Sequence, residues 1–480
     1  MKTDTIAAIA TALSEAGIGI IRISGEEAIE TADRIFRTKS GKKILKSVES
    51  HTIHYGFIVD TEASKEISTD EITIDKDVIN EKVVDEVMLS VMKAPRSYTA
   101  EDTVEINCHG GVLMMQKILE LTLKNGARMA EPGEFTKRAF LNGRIDLAKA
   151  EAVIDVIHSK NEFALASSVS QLKGSLSDVI KRLRAALLYE IAFIESALDD
   201  PEHISLEGYP EELNGKVEGF IKELEQLIAT ADNGKLMKEG INTVIVGKPN
   251  AGKSSLLNLL VGEERAIVTE IAGTTRDVLQ ESIKLQGIGL NVIDTAGIRN
   301  TEDVVEQIGV ERAKKYAADA DLIIYVVDAS VPLDENDQEI IPLIKSKNTI
   351  ILLNKSDLEC IVEEEELLSQ IASDNVRVIK TSTRENKGID ILEENIKEMF
   401  FHGKIKMNDE VVITNLRHKA ALQEACDSLY QVRKSLEDEM PEDFYSIDLM
   451  SAYASLGTII GEEVGEDLVN EIFSKFCMGK

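Results

Sequence analysis

Residues 247–255 read Gly-Lys-Pro-Asn-Ala-Gly-Lys-Ser-Ser, directly after the apolar run Ile241, Val244, Ile245, Val246. A GxxxxGKS stretch between an apolar strand and a helix start is the arrangement a phosphate-binding loop requires. A loop turning into a helix aims its backbone N–H groups at one spot, and the helix N-terminus adds positive potential there. Gly247 and Gly252 allow the tight wrap, because a side chain would collide with the phosphates. Lys253 would reach the β- and γ-phosphates and Ser254 would ligate Mg²⁺. Asn250, Ala251 and Ser255 complete the loop. Taken alone, the stretch is also compatible with an ordinary strand–helix turn.

Three further signals follow in order and narrow the reading. Asp294-Thr295-Ala296-Gly297 closes the apolar strand Leu290 to Ile293. Asp294 would hold Mg²⁺ through water, and the Gly297 N–H would face the γ-phosphate. Asn354-Lys355-Ser356-Asp357 ends another strand, Thr349 to Leu353. A carboxylate at Asp357 accepts two hydrogen bonds from the guanine ring N–H and amino group. Adenine offers no such pair, so this motif selects GTP over ATP. Between the phosphate loop and Asp294, Gly273-Thr274-Thr275-Arg276-Asp277 supplies a threonine, Thr275, able to close on Mg²⁺ and the γ-phosphate. Ser382-Thr383, with Arg384 next, falls where a last loop would pack against the base. Ordered motifs on successive strand ends specify an α/β P-loop GTPase domain.

The chain has 480 residues, enough for about three domains. No apolar run approaches the roughly 18 residues of a membrane span. Met1 to Ala12 does not read as a signal peptide; Ile6, Ile9, Ile18, Ile20 and Ile23 read as strand. Cys108, Cys360, Cys426 and Cys477 have no paired spacing, which excludes a disulfide framework or zinc site and points to the cytosol. A net charge of −31 excludes nucleic-acid binding through the overall field. An RNA partner would need a local patch; Lys173, Lys181, Arg182 and Arg184 are one candidate, and a solvated helix face is the plainer reading. Glu363 to Glu366 reads as the solvent face of a helix.

Before the phosphate loop the pattern is mixed, then helical. Val83 to Val91 and Thr103 to Cys108 alternate as strands, Pro95 and Tyr98 mark a turn, and a helix is expected near Val112 to Leu123. Glu131-Pro132-Gly133 is a break. Leu176, Ile180, Leu183, Leu187, Ile191, Ile194 and Leu198 predict one long amphipathic helix, stopped at Asp199-Asp200-Pro201. Helices are expected at Leu213 to Ala231, 415–437, 446–460 and 464–476. The expected division is an α+β domain over 1–125, helical blocks over 126–239 and 402–480 forming one bundle, and a GTPase domain over 240–401 inserted between them.

Three points remain open on the residues alone. Ile298 follows the Asp-Thr-Ala-Gly motif where many small GTPases carry a water-orienting Gln. Glu306 is an acid nearby, although by residue type it reads as a solvated side chain. His109, in Asn-Cys-His-Gly-Gly, reads as a turn histidine rather than a ligand residue. Near the C-terminus, Phe473 and Phe476 indicate that the end carrying Cys477-Met478-Gly479-Lys480 docks somewhere.

Several stretches together resemble a known family. They are IIRISG (Ile20 to Gly25), SYTAEDTVEINCHGG (Ser97 to Gly111), EPGEFTKRAFLNGRIDLAKAEAV (Glu131 to Val153), the inserted GTPase and the terminal CMGK. The chain closely resembles, over essentially its full length, the MnmE (TrmE) family of tRNA uridine-modification GTPases. The resemblance implies a homodimer built through a folate-binding-like N-terminal domain and a tetrahydrofolate derivative (5-formyl or 5,10-methylene) as one-carbon donor. It implies an FAD-dependent partner, MnmG, and an aminomethyl-type group installed on carbon 5 of wobble uridine in tRNA. Folate contacts are implied at Arg22, Glu105, Arg144 and Lys480. K⁺ ligands are implied at Asn250, Thr269, Ile271 and Thr274, in a switch that also holds Glu270, Ala272 and Gly273. Glu306 matches the family's water-orienting glutamate, which reverses its plain reading, and Cys477 a cysteine linked to modification. Met478 and the stretch Ser14 to Gly17 depart slightly from the family pattern.

Overall fold

The computed structural model describes residues 4–60, 82–262, 280–285, 288–294, 316–345, 347–371, 375–401, 411–462, 464–477 and 479. By packing, the chain divides into two compact units, Met1–Ile154 with Gly457–Lys480, and Asp155–Leu456.

The first unit is built on a seven-stranded sheet ordered β3-β4-β5-β6-β2-β1-β7. Its strands are β1 (Ile6–Ile9), β2 (Ala16–Ser24), β3 (Phe36–Thr38), β4 (Thr52–Asp60), β5 (Lys82–Met92), β6 (Thr103–Gly110) and β7 (Arg128–Met129). All neighbours pair antiparallel except β1 with β7. Side chains alternate between the faces of a strand. One face carries Ile21, Ile23, Leu89, Val91, Val104 and Ile106 into a core closed by α1 (Ala28–Ile35) and α2 (Val112–Lys124). The opposite face carries Arg22, Met88, Glu105 and Asn107, the intervening residues.

Packing in this unit continues past residue 125. Phe135, in α3 (Glu134–Leu141), is buried with Ile6 and Ala8 of β1. Leu147, Ala150 and Val153, early in α4 (Leu147–His158), pack with Val469, Phe473 and Phe476 near the C-terminus. Those two phenylalanines are therefore the anchor of the docked end, and burial of each contributes roughly 1.5–3 kcal/mol.

The second unit contains a six-stranded sheet ordered β13-β12-β11-β8-β10-β9. The strands are β8 (Ile241–Val246), β9 (Gln280–Leu285), β10 (Ile288–Asp294), β11 (Leu322–Asp328), β12 (Asn348–Asn354) and β13 (Val376–Lys380). All pairs are parallel except β9 with β10. Helices cover both faces, so β11 is buried at every position and reads as a continuous apolar run.

The helical part of this unit includes α5 (Glu162–Lys173), α6 (Ser175–Asp199), α7 (Tyr209–Glu239) and the helix Leu416–Glu437, which packs along α7. The periodic positions Leu176 to Ile194 of α6 are buried as expected. α7 runs beyond the expected Leu213–Ala231 at both ends; at its start Pro210 is admissible in a first helical turn, and at its end it continues to Glu239. The candidate basic patch loses its two arginines, while Lys173 and Lys181 are exposed. Arg184 is 5% exposed with its guanidinium 4.0 Å from the centre of the Tyr453 ring, and Arg182 pairs with Glu223. The fold is thus multidomain: an α+β N-terminal domain, a helical bundle and an inserted α/β P-loop domain. Among the described residues, no helix is long and apolar enough to cross a membrane.

Candidate functional site

Parallel strands in register bring their C-terminal ends to one edge of a sheet, and the loops that follow meet there. In the second unit this edge gathers the ends of β8, β10, β12 and β13. Asp294 stands opposite Ile245, and Leu353 opposite Lys380. After β8 the chain runs through Gly247 to Gly252 and enters α8 (Lys253–Val261). Asn250, Ser254 and Ser255 are exposed, while Ala251 is fully buried beneath the loop.

The loop's glycines are required by the protein itself, not only by a ligand. A Cβ at Gly247 would lie 2.3 Å from the Val326 carbonyl oxygen, and one at Gly252 2.1 Å from Asn354 Nδ2. Gly252 also has φ +106°. The phosphate-collision argument accounts for only part of why no side chain fits.

Hydrogen bonds tie this loop to the base-selecting segment. Asn354 Nδ2 donates to the Ala251 carbonyl at 2.8 Å, and Asn354 Oδ1 accepts from the Thr383 N–H at 3.1 Å. Lys253 Nζ donates to the Gly247 and Lys248 carbonyls at 2.7 and 2.8 Å. The Lys355 ammonium pairs with Asp328 at the end of β11. Burial opposes ionisation of Asp328, but hydrogen bonds from Lys355 and Ser330 outweigh it and hold the carboxyl below its usual range. Asp357 is exposed, and Ser382 Oγ donates to its Oδ1 at 2.7 Å. That hydrogen bond, then one from a backbone N–H, keeps the Asp357 carboxyl below the usual range. An oriented, ionised carboxylate at the rim is what a guanine edge with two N–H donors needs.

In the first unit, Arg22 and Glu105 are direct cross-strand partners on β2 and β6. Arg22 Nε donates to Glu105 Oε1 at 2.8 Å, and its Nη1 donates to the Gly479 carbonyl at 3.1 Å. The Tyr98 ring is close to two guanidinium groups, its centre 5.5 Å from that of Arg22 and 5.0 Å from that of Arg144. Tyr98 OH is 2.8 Å from Thr136 Oγ1, which fixes the ring. Next to this group, Arg138 bridges Asp4, Glu101 and Glu134, and Arg128 joins Glu134. Burial opposes ionisation of Glu134, but Arg128, the Glu131 N–H and Arg138 hold its carboxyl below the usual range. His109 Nδ1 sits 2.7 Å from Asp85 Oδ1, so the histidine is partnered as the plain reading expects, but it stands on strand β6 and not in a turn.

Residues 147–477 match the profile described as the MnmE helical domain, and residues 5–144 the one described as the GTP-binding protein TrmE N-terminus. A tRNA modification GTPase MnmE from Lachnoclostridium phytofermentans is 59% identical over 480 residues, 100% of each chain. Those of Clostridioides difficile and Acetivibrio thermocellus are 49% and 48% identical, over 99% and 100% of each chain. The chain belongs to the MnmE family. As an MnmE-family protein it is a GTP-binding GTP hydrolase.

Of the residues singled out for the MnmE reading, the structure brings Asn250 to Ser255, Asn354, Lys355, Asp357, Ser382, Thr383 and Arg384 to one sheet edge. It brings Arg22, Glu105 and Arg144 together around Tyr98. Asp294 is described in its backbone only. Thr269, Glu270, Ile271, Ala272, Gly273, Thr274, Thr275, Thr295, Ala296, Gly297, Glu306 and Lys480 lie outside the described residues. Cys477 is exposed, and its carbonyl accepts from the Gly133 N–H at 3.4 Å. Sequence reasoning took Tyr98 only as a turn marker. An aromatic residue inside a turn between two strands was the available signal for its role.

Proposed function

We propose that the chain is the GTP-hydrolysing subunit of a complex that modifies carbon 5 of the wobble uridine in tRNA. An aminomethyl-type group is added using a tetrahydrofolate derivative as one-carbon donor. In this reading residues 1–125 carry folate binding and dimerisation, 240–401 form the GTPase domain, and 126–239 with 402–480 form the helical domain. The protein works in the cytosol as a homodimer with the FAD-dependent MnmG protein.

The observation that carries the folate part is the Arg22–Glu105 pair beside Tyr98 and Arg144. A pterin has an amide-like edge that a carboxylate such as Glu105 pairs with, and aromatic faces that suit Tyr98. Its glutamate tail is anionic and suits Arg144, with Lys480 as a further contact. The carbonyl of Gly479 on Arg22 supports Lys480 belonging to the same group.

At the nucleotide edge, Ser254 on the first turn of α8 fits a Mg²⁺ ligand, together with Thr275 and, through water, Asp294. Bound there, Mg²⁺ would neutralise phosphate charge. Asn250, exposed at φ +60°, offers a neutral oxygen for K⁺, with Thr269, Ile271 and Thr274 as its partners in the reading. Ile298 offers no hydrogen bond to water, and Glu306 takes that role.

Loss of the protein should remove the wobble modification from the tRNA nucleoside profile, and a flavoprotein should co-purify. Complementation with Cys477→Ser should leave GTP turnover normal and the modification absent; loss of both would assign Cys477 a structural role. Turnover should be fast in KCl and slow in NaCl at equal ionic strength, by a factor on the order of 10³ if K⁺ replaces an arginine finger. Asn250→Ala should abolish that difference. Equal rates in the two salts would remove the K⁺ assignment and leave the GTPase intact.

A further inference from the structure

The phosphate loop has a buried ionic anchor that the nucleotide reading leaves unused. Lys248, which follows Gly247, is only 9% exposed. Its ammonium lies 3.0 Å from Asp337 Oδ2, 3.3 Å from Asp334 Oδ2 and 3.3 Å from the Pro332 carbonyl. Asp337 is fully buried; its Oδ1 accepts from Tyr325 OH at 2.7 Å and its Oδ2 accepts from the Asp334 N–H at 3.0 Å. Asp334 caps the helix Glu335–Ile344, and Tyr325 on β11 stands in register with Val246, at the end of β8. The side chain of Lys248 is therefore fixed to one strand and one helix of the domain.

The backbone of the same residue faces the nucleotide site. Its carbonyl accepts from Lys253 Nζ at 2.8 Å and from the Ala251 N–H at 3.3 Å. The loop around it takes positive φ at Gly247, Asn250 and Gly252, +149°, +60° and +106°, and at the non-glycine Asn250 this is costly. Such backbone persists only where its surroundings over-determine it. Asn354 restrains the loop at Ala251, and Lys248 restrains its beginning. A buried ion pair is no more stabilising, in general, than apolar residues of similar volume. What it supplies is a fixed direction and distance for the chain that carries it.

We propose that Lys248, oriented by Asp337 and Tyr325, is a positioning residue of the nucleotide site, setting the loop backbone and the carbonyl that holds Lys253 ready for phosphate. The proposal rests on the phosphate-loop reading of Gly247 to Ser255.

The test uses the full chain, with GTP and GDP affinity, KM, kcat and thermal midpoint as readouts. Lys248→Met alone leaves the Asp337 carboxylate buried and unpaired, so it is combined with Asp337→Asn. The double variant should melt within a few degrees of the parent, while Kd and KM rise about tenfold to a hundredfold and kcat changes little. Lys248→Arg should keep most of the affinity. A folded double variant with parental affinity would overturn the proposal, as would Lys248→Arg binding as weakly as the double variant. If the double variant does not fold, Tyr325→Phe decides: KM should rise about threefold with the melting point kept, and an unchanged KM overturns the proposal. Lys253→Ala is the control: parental nucleotide affinity there would sink the phosphate-loop reading itself.

Discussion

The nucleotide edge and the Arg22–Glu105 face solve different construction problems. At the nucleotide edge, each contribution is a short contiguous stretch following a strand of a parallel sheet. Much of the recognition there is backbone, so it depends on glycines and on hydrogen bonds that hold loops, such as Asn354 to Ala251. On the N-terminal sheet, the proposed folate contacts Arg22 and Glu105 are side chains standing on antiparallel strands. Arg22 and Glu105 are 83 residues apart, and Arg22 meets the Gly479 carbonyl across 457 residues. Strand register sets Arg22 against Glu105, docking of the C-terminal end brings Gly479 to Arg22, and a slip of one residue would send Arg22 to the apolar face. A site made of loops can therefore be damaged motif by motif, whereas a site made of cross-strand side chains loses its partners together.

That contrast can be broken most directly at Asp357. Asp357→Asn should weaken GTP binding about a hundredfold, since two hydrogen bonds to a charged acceptor are lost. It should gain xanthosine triphosphate, whose ring oxygen suits an amide, and leave folate binding as it was. Unchanged GTP affinity in a titration would remove Asp357 from the site. A smaller effect is expected on the other sheet. Glu105→Ala should weaken 5-formyl- or 5,10-methylene-tetrahydrofolate about tenfold in calorimetry on the full chain, with GTP turnover unchanged. No heat with either folate in the unmutated protein would end the folate reading, and a matching fall in GTP turnover would end the separation of the two sites.

The smallest effect concerns the ionic cluster that braces the N-terminal site. The Glu134 carboxyl is held below its usual range, so its contribution to stability is present above its unfolded pKa, about 4.3. It is lost as the pH falls through the folded value. Melting of the parent should therefore worsen on acidification below about pH 4. Glu134→Gln should be less stable near neutrality, by about 1 kcal/mol, and should show a shallower acid limb. Parallel acid limbs in parent and variant would mean that Glu134 gains nothing from Arg128 and Arg138.

The GTPase half of the molecule was legible for a physical reason. A phosphate loop needs a strand, a glycine-bearing turn and a helix start in immediate succession, and Gly247 to Ser255 is all three at once. The apolar runs before Gly247, Asp294 and Asn354 read as strands, although β11 was not singled out, and α6 announced itself by its four- and three-residue steps. Other features carried no local signal. Arg184 looked like part of a basic face, yet it is buried over Tyr453, because a guanidinium stacks as readily as it solvates. Tyr98 looked like a turn residue, yet its ring is shared by two arginines, Arg22 and Arg144.

By itself, then, the order of residues determined the strand–loop–helix units, the periodic helices and the choice of guanine, since each depends on neighbours within about a dozen positions. The tertiary structure decided what meets across long separations. It set Arg22 against Glu105 through strand register, seated the C-terminal end through Phe473 and Phe476, and buried Lys248 against Asp337 behind the loop. The period of a helix or strand tells which face a side chain takes, and only packing tells what stands opposite it.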